Sequence, residues 1–163
     1  MVIVLQKHKL IIMVGVPGSG KSFKGTQIAE DNDFVYVSRD FVRNMLDLDF
    51  SKGAQAIAKK VFLAIIEASL SQGKTVVADA THLSVGSRLP LLELGQRYGT
   101  ENIAIVMDIC YETCILRNSA RDEGEIVPLE AMRGMKKALS IPTKQEGWTV
   151  YKYTEGEEEK WDS

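Results

Sequence analysis

Residues 15–22 read Gly15-Val16-Pro17-Gly18-Ser19-Gly20-Lys21-Ser22. They match the phosphate-binding pattern G-x-x-x-x-G-K-[ST] at every fixed position. Each fixed position has a chemical reason. Glycines let the backbone turn its N–H groups toward an anion, where a Cβ would obstruct the approach. Gly15, Pro17, Gly18, Ser19 and Gly20 are therefore the candidate cradle for a phosphate chain. Lys21 would reach the β- and γ-phosphates, and the Ser22 hydroxyl would bind Mg²⁺. The context also fits. Leu10-Ile11-Ile12-Met13-Val14 before the motif reads as a buried strand, and Phe23 to Glu30 behind it can form a helix. Such a helix would add its positive dipole end to the loop. The pattern implies a nucleoside triphosphate such as ATP, with Mg²⁺. What accepts its phosphate is a separate question.

Other residues could act on an acceptor. Phosphoryl transfer needs a hydroxyl held in line and a carboxylate to take its proton. Asp40, in Ser38-Arg39-Asp40-Phe41-Val42-Arg43, is the candidate base. Arg43, one helical turn on, could hold an anionic part of the acceptor. Equally, Asp40 could cap the following helix, with Arg43 a surface charge. Asp79 ends an apolar run, Val76-Val77-Ala78, in the Walker B layout, and is a candidate Mg²⁺ ligand. Asp108 has a similar local form and is read as a structural acceptor or cap. His82 is read as structural or as part of a substrate wall. Arg117 and Arg121, four apart, would share a helical face and could close on the phosphates, with Gly124 as a hinge-like break beyond them. A merely solvated helix face is the alternative.

The elements that must position these residues are legible as alternating strands and helices. Strand-like runs lie at 10–14, 34–37, 75–78 and 103–107, with a weaker one at 148–151. They are short, continuous and rich in β-branched residues, as in strands buried on both faces of a parallel sheet. Helices are expected over 54–70, 87–98, 113–121 and 129–139. The first would bury a stripe of Ile57, Val61, Ala64, Ile65 and Ala68, with Gly73 beyond its end. Ser84 is a candidate cap for the second, which Gly99 ends. Pro128 would open the fourth. The alternation argues an α/β domain with a central parallel sheet of about five strands flanked by helices. In such a sheet, ligands sit beyond the carboxyl ends of the strands, where the candidate residues fall.

Bulk properties narrow the class. The chain has 163 residues, 45% hydrophobic and 26% charged, which suits one globular domain. We expect that domain to span 1–151, with an acidic, mobile tail over 152–163. The tail sets two lysines against five acids, a net −3 that leaves +1 for the rest of a chain whose total is −2. A weakly basic body permits local phosphate contacts without announcing a large nucleic-acid surface. No apolar run reaches the ~20 residues of a membrane span, and the N-terminus lacks a signal-peptide layout, so a cytoplasmic location and no membrane partner are expected. Cys110 and Cys114 are too poorly placed for a disulfide and have no zinc-completing partners, so free thiols are expected.

Together these segments resemble the 5′-kinase domain of phage polynucleotide kinase, within the wider group of P-loop kinases. The resemblance covers about residues 10–140. It rests on the loop at 15–22, on Ser38-Arg39-Asp40-Phe41-Val42-Arg43 as an Arg-Asp-x-x-Arg segment, and on Asp79-Ala80-Thr81-His82-Leu83. Most specific is Leu116-Arg117-Asn118-Ser119-Ala120-Arg121, followed by Val127-Pro128 and Met132-Arg133-Gly134-Met135. Ala80 and His82 depart from the Thr and Asn character usual in the family. The resemblance implies a P-loop kinase fold with a helical, arginine-bearing lid. It implies transfer of the γ-phosphate of ATP, with Mg²⁺, to the 5′-hydroxyl end of DNA or RNA. Asp40 would activate the hydroxyl, Arg43 would contact the acceptor phosphate with Arg39 as a weaker contact, and Arg117 and Arg121 would embrace the donor phosphates. It also implies a role in nucleic-acid repair, allows a homo-oligomer, and leads us to expect no phosphatase domain after residue 163. Two other readings stay open: a kinase of a small hydroxylated metabolite or nucleoside on the same scaffold, and a nucleotide-dependent switch or binding protein.

Overall fold

A computed structural model of the chain describes residues 7–155. Five strands form one sheet: β1 (Lys9–Val14), β2 (Val35–Ser38), β3 (Val76–Asp79), β4 (Glu101–Met107) and β5 (Thr149–Tyr153). Their spatial order is β2-β3-β1-β4-β5, with every neighbouring pair parallel. Helices α1 (Lys21–Asn32), α2 (Arg39–Met45), α3 (Lys52–Ser71), α4 (Val85–Arg97), α5 (Tyr111–Ser119) and α6 (Leu129–Ala138) connect and cover them. The α/β arrangement of five parallel strands expected from the alternation is the one observed.

The central strand shows why the sheet is buried on both sides. Successive side chains of a strand point to opposite faces. Leu10, Ile12 and Val14 of β1 join Phe62, Ile66 and Leu70 of α3 and Leu91 of α4 in one core layer. Ile11 and Met13 join Ile28 and Ala29 of α1 in the other. Each β1 residue from 10 to 14 is at most 2% exposed. A run with no polar alternation is what such a strand needs.

Several local expectations need correction. The stripe Ile57, Val61, Ala64, Ile65, Ala68 is not the buried face of α3. The helix buries Ala54, Ala58, Phe62, Ile66 and Leu70, while Ile57 is 51% exposed. The α5 helix ends at Ser119, so Arg121 lies beyond it and does not share a helical face with Arg117. Pro128 is the residue before α6 rather than in its first turn. The 151/152 boundary falls inside β5, whose Lys152 and Tyr153 pair with Val106 and Met107. Tail residues 156–163 lie outside the described residues. Other features stand: Ser84 caps α4 in a reciprocal pair of hydrogen bonds with Ser87, and Gly73 and Gly99 follow the ends of α3 and α4 at φ of 70° and 65°.

Candidate functional site

Strand register brings the candidates together. Ser38 of β2 lies beside Asp79 of β3, and Asp79 lies beside Met13 of β1. Three strand ends therefore share one row. The phosphate loop leaves that row from β1, Asp40 follows it from β2, and Asp79 closes it on β3. Beyond the row opens a cavity of about 400 Å³. Its wall includes Pro17, Gly18, Gly20, Lys21 and Ser22 of the loop, and Arg39, Asp40 and Arg43 of α2. Asp79, Arg117 and Arg121 complete it. Gly15 and Ser19 are not on that wall. The Gly15 amide donates to the Thr81 carbonyl at 3.1 Å and the Ser19 amide to that of Val16 at 3.3 Å.

The loop is braced from behind. Gly18 has φ +79°, and a Cβ there would stand 2.2 Å from the Cys114 carbonyl oxygen of α5. Only glycine meets both conditions. Val16, Cys114 and Met132 form a small core joining the loop to α5 and α6. Lys21 is buried and its ammonium donates to the Val16 carbonyl at 3.0 Å. Burial draws its pKa below the usual lysine range, while the Asp79 and Asp40 carboxylates oppose that shift.

Ser22 and Asp79, the candidate metal ligands, are in direct contact. The Ser22 hydroxyl donates to Asp79 Oδ2 at 2.6 Å. A hydroxyl and a carboxylate beside a phosphate cradle are hard oxygen donors of the kind Mg²⁺ takes, with nucleotide phosphates completing its shell. Among the described residues no three His, Cys, Asp or Glu side chains gather as an all-protein cage. The same Asp79 oxygen accepts the Tyr36 phenol at 2.6 Å. Burial, then the Asp79 charge, push the Tyr36 pKa up to about 12, so the phenol keeps its proton and stays a donor. Gly25 of α1 makes room for it: a Cβ there would lie 3.2 Å from the tyrosine ring. Nothing in the motif pattern pointed to Tyr36. Its position follows from strand alternation, since Val37 faces the other layer, but only once β2 is known to neighbour β3.

Asp40 and Arg43 pair across one helical turn at 2.6 Å, with side chains 67% and 13% exposed. Ser38, not Asp40, caps α2, its hydroxyl accepting from the Phe41 amide. That removes the capping explanation for Asp40. The Arg43 guanidinium lies 4.1 Å from the centroid of the Phe50 ring. Arg117 pairs with Glu155, and Arg121 donates to the Glu125 carbonyl at 3.2 Å. The Glu155 hydrogen bond raises the Arg117 pKa. Asn118 clasps Val127 in both directions, at 2.8 and 3.0 Å, and so closes the loop that carries Arg121 and Gly124.

The remaining candidates are structural. His82 is buried with Nδ1 2.7 Å from the Met13 carbonyl, and burial pushes its pKa down to about 4. It does not line the cavity. Asp108 makes its contact through the backbone, its amide donating to the Tyr153 carbonyl at 2.9 Å; Cys110, not Asp108, stands at the α5 cap position. Both cysteines are free thiols. The sequence context of Arg88 gives no sign of its role. It is fully buried, with all five N–H donors matched: two to the Glu146 carboxylate, one to the His82 carbonyl, and two to Ser140. It ties the segment after β3 to the stretch between α6 and β5.

A parallel five-stranded sheet with a complete phosphate loop at the end of its central strand defines a P-loop domain of the kinase type. The chain belongs to the AAA domain family, whose model matches residues 10–142. A protein of Acanthamoeba polyphaga mimivirus, named as a candidate bifunctional polynucleotide phosphatase/kinase, is 30% identical over 117 residues, 71% of this chain and 24% of that protein. A chain of the Pnkp1/Rnl/Hen1 RNA repair complex superposes with a TM-score of 0.74 at 28% identity, covering 84% of this chain and 45% of its own length. A gluconokinase from Sinorhizobium meliloti 1021 shares the fold, with a TM-score of 0.63 at 21% identity over 91% of this chain and 84% of its own. The chain spans less than a quarter of the length of the curated relatives it matches. No described helix is long and apolar enough to cross a membrane.

Proposed function

We propose that this domain is a polynucleotide 5′-hydroxyl kinase that moves the γ-phosphate of ATP to the 5′-OH end of DNA or RNA, an activity suited to repair of nucleic-acid ends. The observation that carries the reading is the Asp40–Arg43 pair on the wall of the cavity that also holds Lys21, Ser22 and Asp79. A carboxylate beside a guanidinium matches a 5′-hydroxyl beside the first phosphate of a strand. The 5′-oxygen attacks the γ-phosphorus in line. The bond from that phosphorus to the bridging oxygen breaks, ADP departs, and Asp40 takes the hydroxyl proton. Arg43 pairs with the acceptor phosphate, and Arg39, half-buried beside it, is a weaker contact. Lys21 exchanges the Val16 carbonyl for phosphate oxygens. Arg117 likewise exchanges Glu155, and with Arg121 it offsets charge on the donor. Ser22 and Asp79 would hold Mg²⁺, which neutralises phosphate charge when bound.

The resemblance to the mimivirus protein and to the RNA repair chain supports this acceptor. The gluconokinase likeness favours a second reading, a small hydroxylated metabolite as acceptor. One experiment separates them: transfer of label from γ-labelled ATP to 5′-hydroxyl DNA and RNA oligonucleotides, their 5′-phosphorylated versions, and a panel of sugars and nucleosides. Label on the 5′-hydroxyl strands alone is expected. Label confined to a small molecule refutes the first reading and selects the second.

A further inference from the structure

The acceptor side of the cavity carries a feature that phosphate chemistry does not use. Phe50 is 65% exposed and Phe23 79% exposed, and both line the cavity beside Asp40 and Arg43. An aromatic ring left in water at the rim of a site calls for a cause. Helix entry does not supply one. Phe50 immediately precedes Ser51, the cap of α3, where an apolar residue commonly packs against the fourth residue of the helix. That residue is Gln55, which is polar and itself lines the cavity. Phe50 does have a partner: the Arg43 guanidinium, 4.1 Å from its centroid, which in turn holds Asp40 at 2.6 Å. Carboxylate, guanidinium and ring thus form one connected row. With the cation on one face, the ring's large remaining exposure leaves the other open.

We infer that Phe50 is the stacking platform for the base of the acceptor's 5′-terminal nucleotide. The inference rests on the polynucleotide reading and deepens it. A nucleotide projects three unlike groups from one furanose: the 5′-hydroxyl, the 3′-linked phosphate and the base. The row Asp40, Arg43, Phe50 offers one complementary group to each. Aromatic rings interleaved with cations are how single strands are held without reading their sequence, because every base has a π-face. The platform would therefore tolerate all four bases and would require that a base be present. It also explains how a body with little net positive charge could hold a strand by its end: stacking supplies affinity that a track of phosphate contacts would otherwise provide.

The test is a cycle between enzyme and substrate. Wild type, Phe50→Ala and Phe50→Tyr are each given a 5′-hydroxyl oligonucleotide and the same strand with an abasic tetrahydrofuran residue at its 5′ end, at saturating ATP. Removing the base is expected to lower the wild-type kcat/KM by about 10- to 100-fold. Phe50→Ala should lose a similar factor on the normal strand and little more on the abasic one, with the KM for ATP unchanged. Phe50→Tyr should retain the base dependence. Two losses that multiply in the doubly altered pair would show that Phe50 acts elsewhere, for example only by seating Arg43, and would overturn the inference. Equal wild-type rates on both strands would overturn it while leaving the polynucleotide reading intact. No label on any strand would remove that reading, and the platform with it.

Discussion

Replacing Arg88 by Met should unfold the protein more readily than most single changes. The side chain is fully buried and spends every donor it has: two on Glu146 at 2.8 and 3.0 Å, one on the His82 carbonyl at 3.0 Å, and two on Ser140 at 2.9 and 3.3 Å. Met fills much of the volume but leaves a carboxylate, 15% exposed, without its cation. Breaking a buried pair from one side costs about 3–5 kcal/mol. For a domain of this size that is a fall in Tm of roughly 6–20 °C. Arg88→Lys should recover little, because one ammonium cannot serve partners spread across a planar fork. Arg88→Met combined with Glu146→Leu should lose less than Arg88→Met alone, because it removes the stranded charge as well. Urea titrations followed by circular dichroism measure all three. A loss below about 1 kcal/mol in Arg88→Met would refute the reasoning, as would a double variant whose loss equals the sum of its parts.

Asp40→Asn should lower kcat by about 10²- to 10⁴-fold with little change in nucleotide binding; matching losses in turnover and binding would assign Asp40 a structural role. Tyr36→Phe removes the phenol that holds Asp79 and should weaken binding of a Mg²⁺–ATP analogue by about 10- to 100-fold, read by calorimetry; unchanged affinity would deny Tyr36 that part. His82 is held neutral by burial, with its pKa down to about 4 from an ordinary 6.5. The unfolded chain therefore binds the proton first as pH falls, and stability rises with pH between those values by about 3 kcal/mol. His82→Gln should flatten that segment of the stability profile relative to wild type, and parallel profiles would contradict the assignment. Gly18→Ala drives a Cβ to 2.2 Å from the Cys114 carbonyl at φ +79°, so Tm should fall by several degrees and nucleotide affinity with it; an unchanged Tm would mean that the loop and α5 are not in firm contact.

What could be read from the sequence was chemistry packed into contiguous residues or pinned to strand ends. The loop at 15–22 is legible because eight neighbouring residues specify both its conformation and its ligand. Asp40 and Asp79 are legible because a parallel sheet gathers its carboxyl ends. The buried face of α3 was not. Its expected stripe Ile57, Val61, Ala64, Ile65, Ala68 lies one residue away from the observed Ala54, Ala58, Phe62, Ile66, Leu70, and one residue is a rotation of about 100°. Twelve of the 20 residues of that helix are apolar, so periodicity alone does not choose a face; the face carrying Phe62, Ile66 and Leu70 is the one packed into the sheet core. Arg88 carried no signal because its three partner residues lie 6, 52 and 58 positions away. Phe50 carries no sequence signal of its own, because an apolar residue before a helix cap is ordinary and only the structure shows Gln55 in the place of its packing partner.

The bracing behind the loop also decides what can move when phosphates arrive. A rigid swing of the whole arginine-bearing helix would have to break the contact of Gly18 with Cys114 and the core formed by Val16, Cys114 and Met132. Those contacts lie on the backbone and in a dry cluster, so opening them costs packing that no ligand contact on the far side restores. Arg117 belongs to the braced helix. On the proposed reading its backbone would stay in place, and only its side chain would turn from Glu155 toward the donor. Arg121 belongs to the exposed segment beyond Ser119, which the Asn118–Val127 clasp closes at 2.8 and 3.0 Å. Movement on nucleotide binding would therefore be confined to residues 120–126, which are exposed and hold Arg121 by a single carbonyl at 3.2 Å. On the proposed reading, the two arginines would reach the phosphates by different routes, one by a rotamer change and one by a loop change. Nucleotide binding should accordingly protect the amides of 120–126 from exchange far more than those of α5.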